Sequence, residues 1–363
     1  MLKARNAVRN LPTYHPPLGG RDGLRLDFNE NTAGCSPRVL ARLRELTAEE
    51  IGCYPEREPV EILAAGHLGI APDELLLTNG VDEAIHLLCE TFLEAGDEVL
   101  IVVPTFAMYE ISAAATGARV IAVPAGKDFR FPASELLARI TPRTRLIAVA
   151  NPNNPAGTVA EQADLVNIAR RTPQAAVLVD EAYFEFYGKT LLAEWRELPN
   201  LFVARTFSKA YGMAGLRVGL LAGNAAHIPM VRRVSSPYNV NGVALACLPA
   251  ALADADYVQQ YVRQVCQGRD ELQQEFSRWG IPCWPSHANF VLAQFGPFKT
   301  AFIQSMRARG ILVRDRSRDH ACEGCVRITL GTTEQTARLL AALRETLAEI
   351  DAKKIGAEEA TAK

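Results

Sequence analysis

The stretch Val177-Leu-Val-Asp180-Glu-Ala-Tyr183 places acidic side chains directly after a continuous apolar run. A short apolar run without polar alternation is typical of a strand that helices cover on both faces. An aspartate at the end of such a strand loses hydration, so it needs a cationic partner or serves as the first residue of a helix. The stretch therefore predicts a buried strand with a polar site at its carboxyl end.

Six further apolar runs extend this pattern along the chain: Leu75–Thr78, Val99–Val103, Val120–Val123, Leu146–Ala150, Leu201–Ala204 and Val218–Ala222. Amphipathic segments lie between them, and Asp82–Leu93 and Glu161–Arg171 each place their apolar residues on one helical face. Alternation of strands and helices is typical of α/β proteins with a mostly parallel sheet. We therefore expect a seven-stranded, mostly parallel sheet.

The length of 363 residues exceeds what one core normally organises, so we expect two folded units. The sheet pattern ends near residue 241, where long helical patterns and isolated strands of a smaller α+β domain begin. We predict an N-terminal arm with part of the small domain at 1–53 and a large domain at 54–241. The rest of the small domain is predicted at 242–351, followed by a flexible tail at 352–363.

The composition is that of an ordinary globular protein, with 48% hydrophobic and 22% charged residues. A net charge of −2 gives no general attraction for nucleic acid or an anionic membrane. No apolar stretch is long enough to span a bilayer, and the basic first residues lack the apolar core of a secretory signal. We therefore expect a cytoplasmic protein without nucleic-acid or membrane partners.

Eight cysteines are scattered too thinly for a disulfide scaffold, so reduced thiols are expected. Cys322 and Cys325 form a lone C-x-x-C pair. A structural zinc site requires a second pair of ligands at a suitable spacing, which the nearby His320 does not supply. We expect no metal.

The segment Thr206-Phe-Ser208-Lys209, with Arg217 eight residues later, combines hydroxyl, amine and guanidinium groups after a predicted strand. Ligands of α/β sheets gather at such strand ends, although a surface lysine is the alternative explanation. Hydroxyls and a guanidinium together suit a phosphate. An amine beside a bound phosphate points to a cofactor aldehyde that Lys209 captures as an imine.

Asp180 suits the protonated ring nitrogen of a pyridine cofactor, because an ionised carboxylate favours the cationic form of that nitrogen. Tyr183 would then reach the ring oxygen. Asn154, in the turn Asn151-Pro-Asn-Asn-Pro-Ala-Gly157 after another strand, is placed to donate to the same oxygen. The alternatives are a helix cap for Asp180 and an ordinary turn for 151–157.

Two further segments fit the same site. Gly80, Val81 and Asp82 join a strand to a helix, where backbone N–H groups bind phosphate and glycine permits close approach. Tyr109 follows the Val99–Val103 strand, where it would stack on the cofactor ring. A plain helix start and a core aromatic are the respective alternatives.

Taken in order along the chain, these segments resemble fold-type I aminotransferases that use pyridoxal 5′-phosphate (PLP), and within them most closely the histidinol-phosphate aminotransferases. The resemblance covers nearly the whole chain. The stretches that carry it are Val8-Arg-Asn-Leu-Pro-Thr-Tyr14, Leu26-Asp-Phe-Asn-Glu-Asn31, Cys53-Tyr54-Pro55, Asn79-Gly-Val-Asp-Glu83, Pro104-Thr-Phe-Ala-Met-Tyr109, Asn153-Asn-Pro-Ala-Gly157, Asp180-Glu-Ala-Tyr183, Ser208-Lys209, Gly215-Leu-Arg217 and Cys325-Val-Arg-Ile-Thr-Leu-Gly331.

The resemblance implies transamination of L-histidinol phosphate with 2-oxoglutarate, which gives imidazole-acetol phosphate and glutamate in histidine biosynthesis. It also implies a homodimer with shared active sites, in which Tyr54 reaches the cofactor phosphate of the partner subunit. Arg314 and Arg327 would bind the far anionic group of the substrate. Tyr14 and Asn31 would line the substrate pocket.

Three alternatives share these residues to different degrees. An aromatic amino acid aminotransferase would use the same site, and a threonine-phosphate decarboxylase would break a different bond at the same carbon. A PLP-binding regulator is disfavoured, since no basic helix-turn-helix precedes the core. The chain also departs from the family pattern, with Thr32 in place of a proline and Val81 in place of a serine.

Overall fold

The computed structural model describes residues 2–9, 11–13, 19–192 and 194–361, and shows a protein of alternating strands and helices. The strands are β1 (Leu24–Arg25), β2 (Leu75–Thr78), β3 (Glu98–Val103), β4 (Arg119–Pro124), β5 (Thr144–Ala150), β6 (Ala176–Asp180), β7 (Leu201–Thr206), β8 (Gly219–Gly223), β9 (Phe290–Gln294), β10 (Ile311–Leu312), β11 (Arg314–Asp315) and β12 (Cys325–Thr329).

The α-helices are α1 (Asn6–Arg9), α2 (Pro37–Arg44), α3 (Ala48–Gly52), α4 (Glu58–Leu68), α5 (Gly80–Phe92), α6 (Met108–Thr116), α7 (Ala133–Ala138), α8 (Gln162–Arg171), α9 (Phe184–Tyr187), α10 (Ile228–Arg232), α11 (Gly242–Leu252), α12 (Ala255–Arg278), α13 (Lys299–Ala308) and α14 (Thr333–Thr361). Within the described residues, no helix is both long and apolar enough to cross a membrane.

The main sheet has seven strands in the order β2-β8-β7-β6-β5-β3-β4. Strand β8 is antiparallel to both of its neighbours, β2 and β7, whereas the remaining pairings are parallel. The predicted mostly parallel seven-stranded sheet is therefore confirmed. The seven predicted strands begin and end within about two residues of the observed ones, a typical precision for such boundaries.

The sheet is covered on both faces, which explains its continuous apolar strands. Val177 and Val179 of β6 face a core that includes Leu165 of α8. The intervening Leu178 faces the opposite core, together with Leu88 of α5. Because successive side chains of a strand point to opposite faces, two covered faces require every position to be apolar.

A smaller antiparallel sheet, β11-β12-β9, forms a second core with the C-terminal helices. Phe276 of α12, Phe302 of α13 and Leu343 of α14 are buried there. The N-terminal segment joins this region, because β1 pairs in parallel with β10. This pairing carries residues 26–31 toward the main sheet.

The strand directions bring several chain segments to one edge of the main sheet. Asp180 ends β6 beside Ala204 of β7, and Thr206 at the end of β7 pairs with Gly219 at the start of β8. Because β8 is reversed, the residues that precede it lie at the same edge as the residues that follow β5, β6 and β7. The edge therefore gathers polar groups from distant parts of the sequence.

Candidate active site

A cavity of about 840 Å³ opens at this edge, between the main sheet and the small antiparallel sheet. Most of the site residues predicted from the sequence line it: Val81, Asp82, Tyr109, Asn154, Asp180, Tyr183, Thr206, Ser208, Lys209, Arg217, Arg314 and Arg327. The fold thus brings together residues that are more than 240 positions apart in the sequence.

Asp180 is buried at the base of the cavity. The Tyr109 hydroxyl donates to one carboxylate oxygen at 2.5 Å, and the Ala182 N–H donates to the other at 3.0 Å. Burial raises the pKa of Asp180 to about 6, because the ionised carboxylate is poorly hydrated there. A cation in the cavity, such as a protonated ring nitrogen, would compensate this charge. Tyr109 is itself buried and lines the cavity. Its stacking on a cofactor ring remains a prediction.

Lys209 supplies the amine of the site. Its Nζ donates to the backbone carbonyl of Phe28 at 3.2 Å. Burial, and next the positive charge of Arg327, lower the pKa of the Lys209 amine to about 8. A substantial fraction of the amine is therefore neutral and nucleophilic near physiological pH. The Phe28 carbonyl was not predicted, since a backbone contact leaves no signature in the sequence.

Hydroxyl and guanidinium groups lie close to Lys209, where the sequence predicts a phosphate site. Thr206 Oγ1 accepts from the Ser208 N–H at 3.1 Å, and Arg217 donates to Ser208 Oγ at 3.3 Å and to Asp82 at 3.1 Å. Gly80 begins α5 with a φ of +77°, and a Cβ at this position would collide with the Arg217 guanidinium. The absence of a side chain at Gly80 therefore lets Arg217 lie against the start of the helix, as a phosphate cradle requires.

Arg327 lines the cavity from β12 of the small sheet and is 5% exposed. It donates to Asn154 Oδ1 at 2.5 Å and to the Asp27 carbonyl at 2.9 Å, and its Nε has no partner among the described residues. Burial, and the neighbouring Arg316 and Arg314, lower its pKa to about 9. A buried guanidinium held by neutral acceptors and flanked by cations favours an anionic ligand.

Additional polar residues that the sequence analysis did not single out complete the cavity wall. Arg307, Arg316 and Arg318 line it together with the predicted arginines. Asn29 donates to the Tyr183 hydroxyl at 2.9 Å. The alternation Arg314-Asp-Arg316-Ser-Arg318 was visible in the sequence as a concentration of positive charge, whereas the Asn29 contact depends on tertiary structure.

Three predicted residues lie apart from the cavity or outside the described residues. Tyr54 is 78% exposed and stacks on Tyr238, with ring centroids 4.3 Å apart. Asn31 is buried, and its side-chain amide donates to the Ala210 carbonyl at 2.8 Å, next to Lys209. Tyr14 lies outside the residues that the structure describes. The contacts of these side chains with cofactor or substrate remain predictions.

Cys322 and Cys325 are both buried within one turn, in which the Cys325 N–H donates to the Cys322 carbonyl at 2.9 Å. Throughout the described part of the chain, no group of three or more His, Cys, Asp or Glu side chains is arranged to hold a metal ion.

The residues fit the functional groups of PLP. The buried Asp180 carboxylate suits a protonated pyridine nitrogen, and the partly neutral Lys209 amine suits an aldehyde. The group formed by Thr206, Ser208 and Arg217 suits a phosphate. The three groups line one cavity, as a single ligand that bears all three functions requires.

Comparison with known proteins agrees with this geometry. Residues 21–343 match the family model for aminotransferase class I and II. The chain is 35% identical to histidinol-phosphate aminotransferase from Moorella thermoacetica over 95% of this chain and 93% of the relative. It is 37% identical to the enzyme of that name from Symbiobacterium thermophilum, over 96% of this chain and all of the relative.

A crystal structure of histidinol-phosphate aminotransferase from Sinorhizobium meliloti in complex with pyridoxal 5′-phosphate superposes with a TM-score of 0.86. The two chains are 26% identical, and the match covers 96% of this chain and 99% of the other. The likeness therefore extends through both sheets and the cavity between them. The chain belongs to the class I and II aminotransferase family.

Proposed function

We propose that this protein is a PLP-dependent transaminase that converts L-histidinol phosphate and 2-oxoglutarate into imidazole-acetol phosphate and glutamate. The observation that carries the proposal is Arg327, a buried guanidinium that lines the same cavity as Lys209 and Asp180 and has no carboxylate partner among the described residues. An amine, a ring-nitrogen partner and a separate guanidinium in one cavity together suit an amino donor with an anionic tail. The histidinol-phosphate aminotransferases among the similar proteins support the same substrate.

Bound PLP would supply an electron-accepting ring and a carbonyl carbon that exchanges amines. Asp180 would hold the ring nitrogen protonated, since its carboxylate is buried and forms no ion pair with any described residue. The Lys209 amine, once released by the substrate amine, would take the proton from the substrate Cα. Its lowered pKa of about 8 favours the neutral form that this transfer needs.

The far end of the cavity would accept two different anions. Histidinol phosphate carries a phosphate and no carboxylate, whereas glutamate carries a side-chain carboxylate. The guanidinium groups of Arg314 and Arg327 present paired donors that match either anion. Arg316 also lines the cavity and adds positive charge near Arg327.

We further propose a homodimer in which Tyr54 contacts the cofactor phosphate of the partner subunit. Tyr54 is exposed and does not line the cavity of its own chain. Ile51, Ile62 and Leu63 on the adjoining helices are also exposed, at 67%, 50% and 46%. A cluster of exposed apolar side chains of this kind is typical of a subunit interface.

The remaining proposals concern organisation and location. We propose the domain division at residues 54 and 241, and a cytoplasmic enzyme without nucleic-acid or membrane partners. Of the tail predicted to be flexible at 352–363, residues 352–361 continue helix α14, and residues 362–363 lie outside the described residues. The two sheets with their separate cores support the division into a large and a small domain. The net charge of −2 supports the absence of polyanionic partners.

Steady-state assays with matched amino donors would test the substrate. The kcat/KM for L-histidinol phosphate with 2-oxoglutarate should exceed that for phenylalanine by about tenfold or more, because the arginines bind the anionic tail that phenylalanine lacks. Threonine phosphate should yield no carbon dioxide. A preference for phenylalanine would assign the protein to the aromatic aminotransferases, and carbon dioxide release would make it a decarboxylase.

A further inference from the structure

Asn29 lies beside the cavity in a backbone conformation that few residues adopt. It is 1% exposed and has a φ of +56°, in the left-handed region that asparagine tolerates better than most non-glycine residues. Its N–H donates to Thr329 Oγ1 at 3.1 Å, and its carbonyl accepts from the Asn289 side chain at 3.1 Å. The small-domain residues Asn289 and Thr329 thus fix the backbone of Asn29.

The same contacts determine which way the Asn29 side-chain amide faces. Thr329 Oγ1 already accepts from the Asn29 N–H, and its hydroxyl donates to Asn29 Oδ1 at 3.1 Å. The amide nitrogen therefore faces Tyr183 and donates to its hydroxyl oxygen at 2.9 Å. The reverse orientation would leave the Thr329 hydroxyl proton without an acceptor among the described residues.

Because Tyr183 accepts this hydrogen bond, its own hydroxyl proton points elsewhere. Tyr183 lines the cavity that also holds Lys209 and Asp180, and it packs edge-on against Phe290 with ring centroids 5.2 Å apart. We propose that Asn29 is a positioning residue that keeps the Tyr183 proton available for the ring oxygen of PLP. This inference rests on the proposed placement of the cofactor and on the predicted contact of Tyr183 with that oxygen.

A hydrogen bond from Tyr183 would stabilise the anionic form of the ring oxygen and so lower the proton affinity of the nitrogen that joins Lys209 to the cofactor. The bond from Asn29 strengthens this effect, because a hydroxyl that accepts one hydrogen bond becomes a better donor. Burial raises the pKa of Tyr183, so the phenol stays protonated near neutral pH. Without Asn29, the hydroxyl would be free to rotate away.

Other charged groups lie near the Tyr183 hydroxyl and the Lys209 amine, and a test of Asn29 must leave these groups unchanged. Those near Tyr183 are Arg327, Asp180 and Arg316. Those near the Lys209 amine are Arg327, Glu30, Arg217 and Asp82. The Asn29→Gly substitution changes none of these groups, and glycine accepts the left-handed backbone of Asn29 without strain.

The test is a pH titration of the absorbance of the bound cofactor in the holoenzyme. Asn29→Gly should raise the midpoint of the absorbance change by roughly half a pH unit to one unit, and Tyr183→Phe by about one unit or more. In the double variant Asn29→Gly/Tyr183→Phe, the midpoint should equal that of Tyr183→Phe alone. Asn224→Gly, beyond the opposite end of β8, is the matched control and should leave the midpoint unchanged.

Asn29→Asp provides a second, nearly isosteric variant. Its carboxylate would accept from Tyr183 instead of donating to it, so the midpoint should rise more than in Asn29→Gly. Additivity of Asn29→Gly and Tyr183→Phe would overturn the proposal, and so would an unchanged midpoint in Asn29→Gly. If Tyr183→Phe also left the midpoint unchanged, the predicted contact of Tyr183 with the cofactor would fail with it. If Tyr183→Phe alone raised it, only the role of Asn29 would be refuted.

Discussion

At the scale of the residue, the site depends on buried charges that its protein neighbours do not neutralise. Asp180 has a raised pKa, and Lys209 and Arg327 have lowered ones, in each case mainly because of burial. A ligand of opposite charge would stabilise the charged forms of Asp180 and Arg327. The neutral form of Lys209 would react with a ligand. Clusters of perturbed groups in one cavity are typical of active sites.

The lowered pKa of Lys209 predicts the pH dependence of cofactor capture. Only the neutral amine attacks the PLP aldehyde, so the rate of covalent uptake by cofactor-free protein should rise with pH and level off above about pH 8. Stopped-flow absorbance between pH 6 and 10 would measure it, with Lys209→Ala as a control that captures no cofactor. A rate that still rose steeply between pH 9 and 10, as expected for an amine with the ordinary lysine pKa of 10.5, would contradict the effect of burial.

The raised pKa of Asp180 predicts that the carboxylate destabilises the cofactor-free protein. Its folded-state pKa of about 6 exceeds the ordinary 3.8, so the folded state favours the protonated carboxyl. The protein keeps its full stability below about pH 4, where the carboxyl is protonated in both states, and loses stability as the pH rises through 6 and the buried carboxyl ionises. Asp180→Asn should therefore increase the free energy of unfolding at pH 7 by about 1–3 kcal/mol, and by less at pH 5. Urea unfolding at the two pH values would measure the difference.

The same Asp180→Asn variant should bind PLP more weakly, because it no longer holds the ring nitrogen in its protonated form. A cofactor titration of the variant provides this second measurement. A variant that was less stable than the wild type at pH 7, or that bound PLP normally, would argue against a carboxylate placed for a cationic ligand.

At the scale of the element, the site lies at one edge of the main sheet, where several strands and the start of one helix each contribute one or two groups. Strand β6 supplies Asp180, β7 leads into Thr206 and Lys209, and the reversed β8 starts just after Arg217. Strand β12 of the small sheet supplies Arg327 to the same cavity. The helix start at Gly80 completes the predicted phosphate cradle.

A comparison of two glycines tests this cradle. Gly80 and Gly69 have similar φ values of +77° and +70°, but only a Cβ on Gly80 would meet the Arg217 guanidinium. Both alanine variants should lose roughly 1 kcal/mol of stability from backbone strain. Only Gly80→Ala should also weaken PLP binding, by about tenfold or more. Equal PLP affinities in a cofactor titration would show that the helix start takes no part in phosphate binding.

The sequence was most informative about elements whose pattern is local. The continuous apolar runs predicted all seven strands of the main sheet, because strands that are covered on both faces require apolar residues at every position. The polar residues at the strand ends predicted part of the cavity wall, including Asp180, Thr206 and Lys209, because ligands of α/β sheets gather at strand ends. The strand order, and the reversal of β8 that carries Arg217 to the shared edge, follow from tertiary packing and were not predicted.

Contacts between the two sheets were also beyond local patterns. The link from Thr329 through Asn29 to Tyr183 joins three segments that lie far apart in the sequence. The Phe28 carbonyl beside Lys209 is a backbone group, so no side-chain type marks it. Such contacts arise from the pairing of β1 with β10, and a two-residue strand is too short to give a periodic signal.

At the scale of the whole molecule, the proposed dimer would complete each active site with Tyr54 from the other subunit. The exposed Tyr54 is held by its stacking on Tyr238, which is itself 53% exposed. A partner subunit that covered this pair would bury both rings. Assembly and catalysis would then be coupled, because an isolated chain would lack one contact to the cofactor phosphate.

Mixing two inactive variants tests this sharing of sites. Tyr54→Ala dimers should be strongly impaired and Lys209→Ala dimers inactive. A hybrid dimer would contain one site with an intact Lys209 from one chain and an intact Tyr54 from the other. Activity should therefore appear when the two variants are mixed under conditions that allow subunit exchange. No recovery despite hybrid formation, verified by mass spectrometry, would show that Tyr54 does not serve the partner subunit.

The most direct test of the proposed function is the half-reaction with L-histidinol phosphate in the absence of a 2-oxo acid, followed by the absorbance of the bound cofactor. We predict stoichiometric conversion of PLP to pyridoxamine phosphate, equally complete conversion by glutamate, and slow conversion by phenylalanine. No conversion by histidinol phosphate, together with rapid conversion by phenylalanine, would contradict the proposed substrate and leave only the PLP chemistry of Lys209 and Asp180.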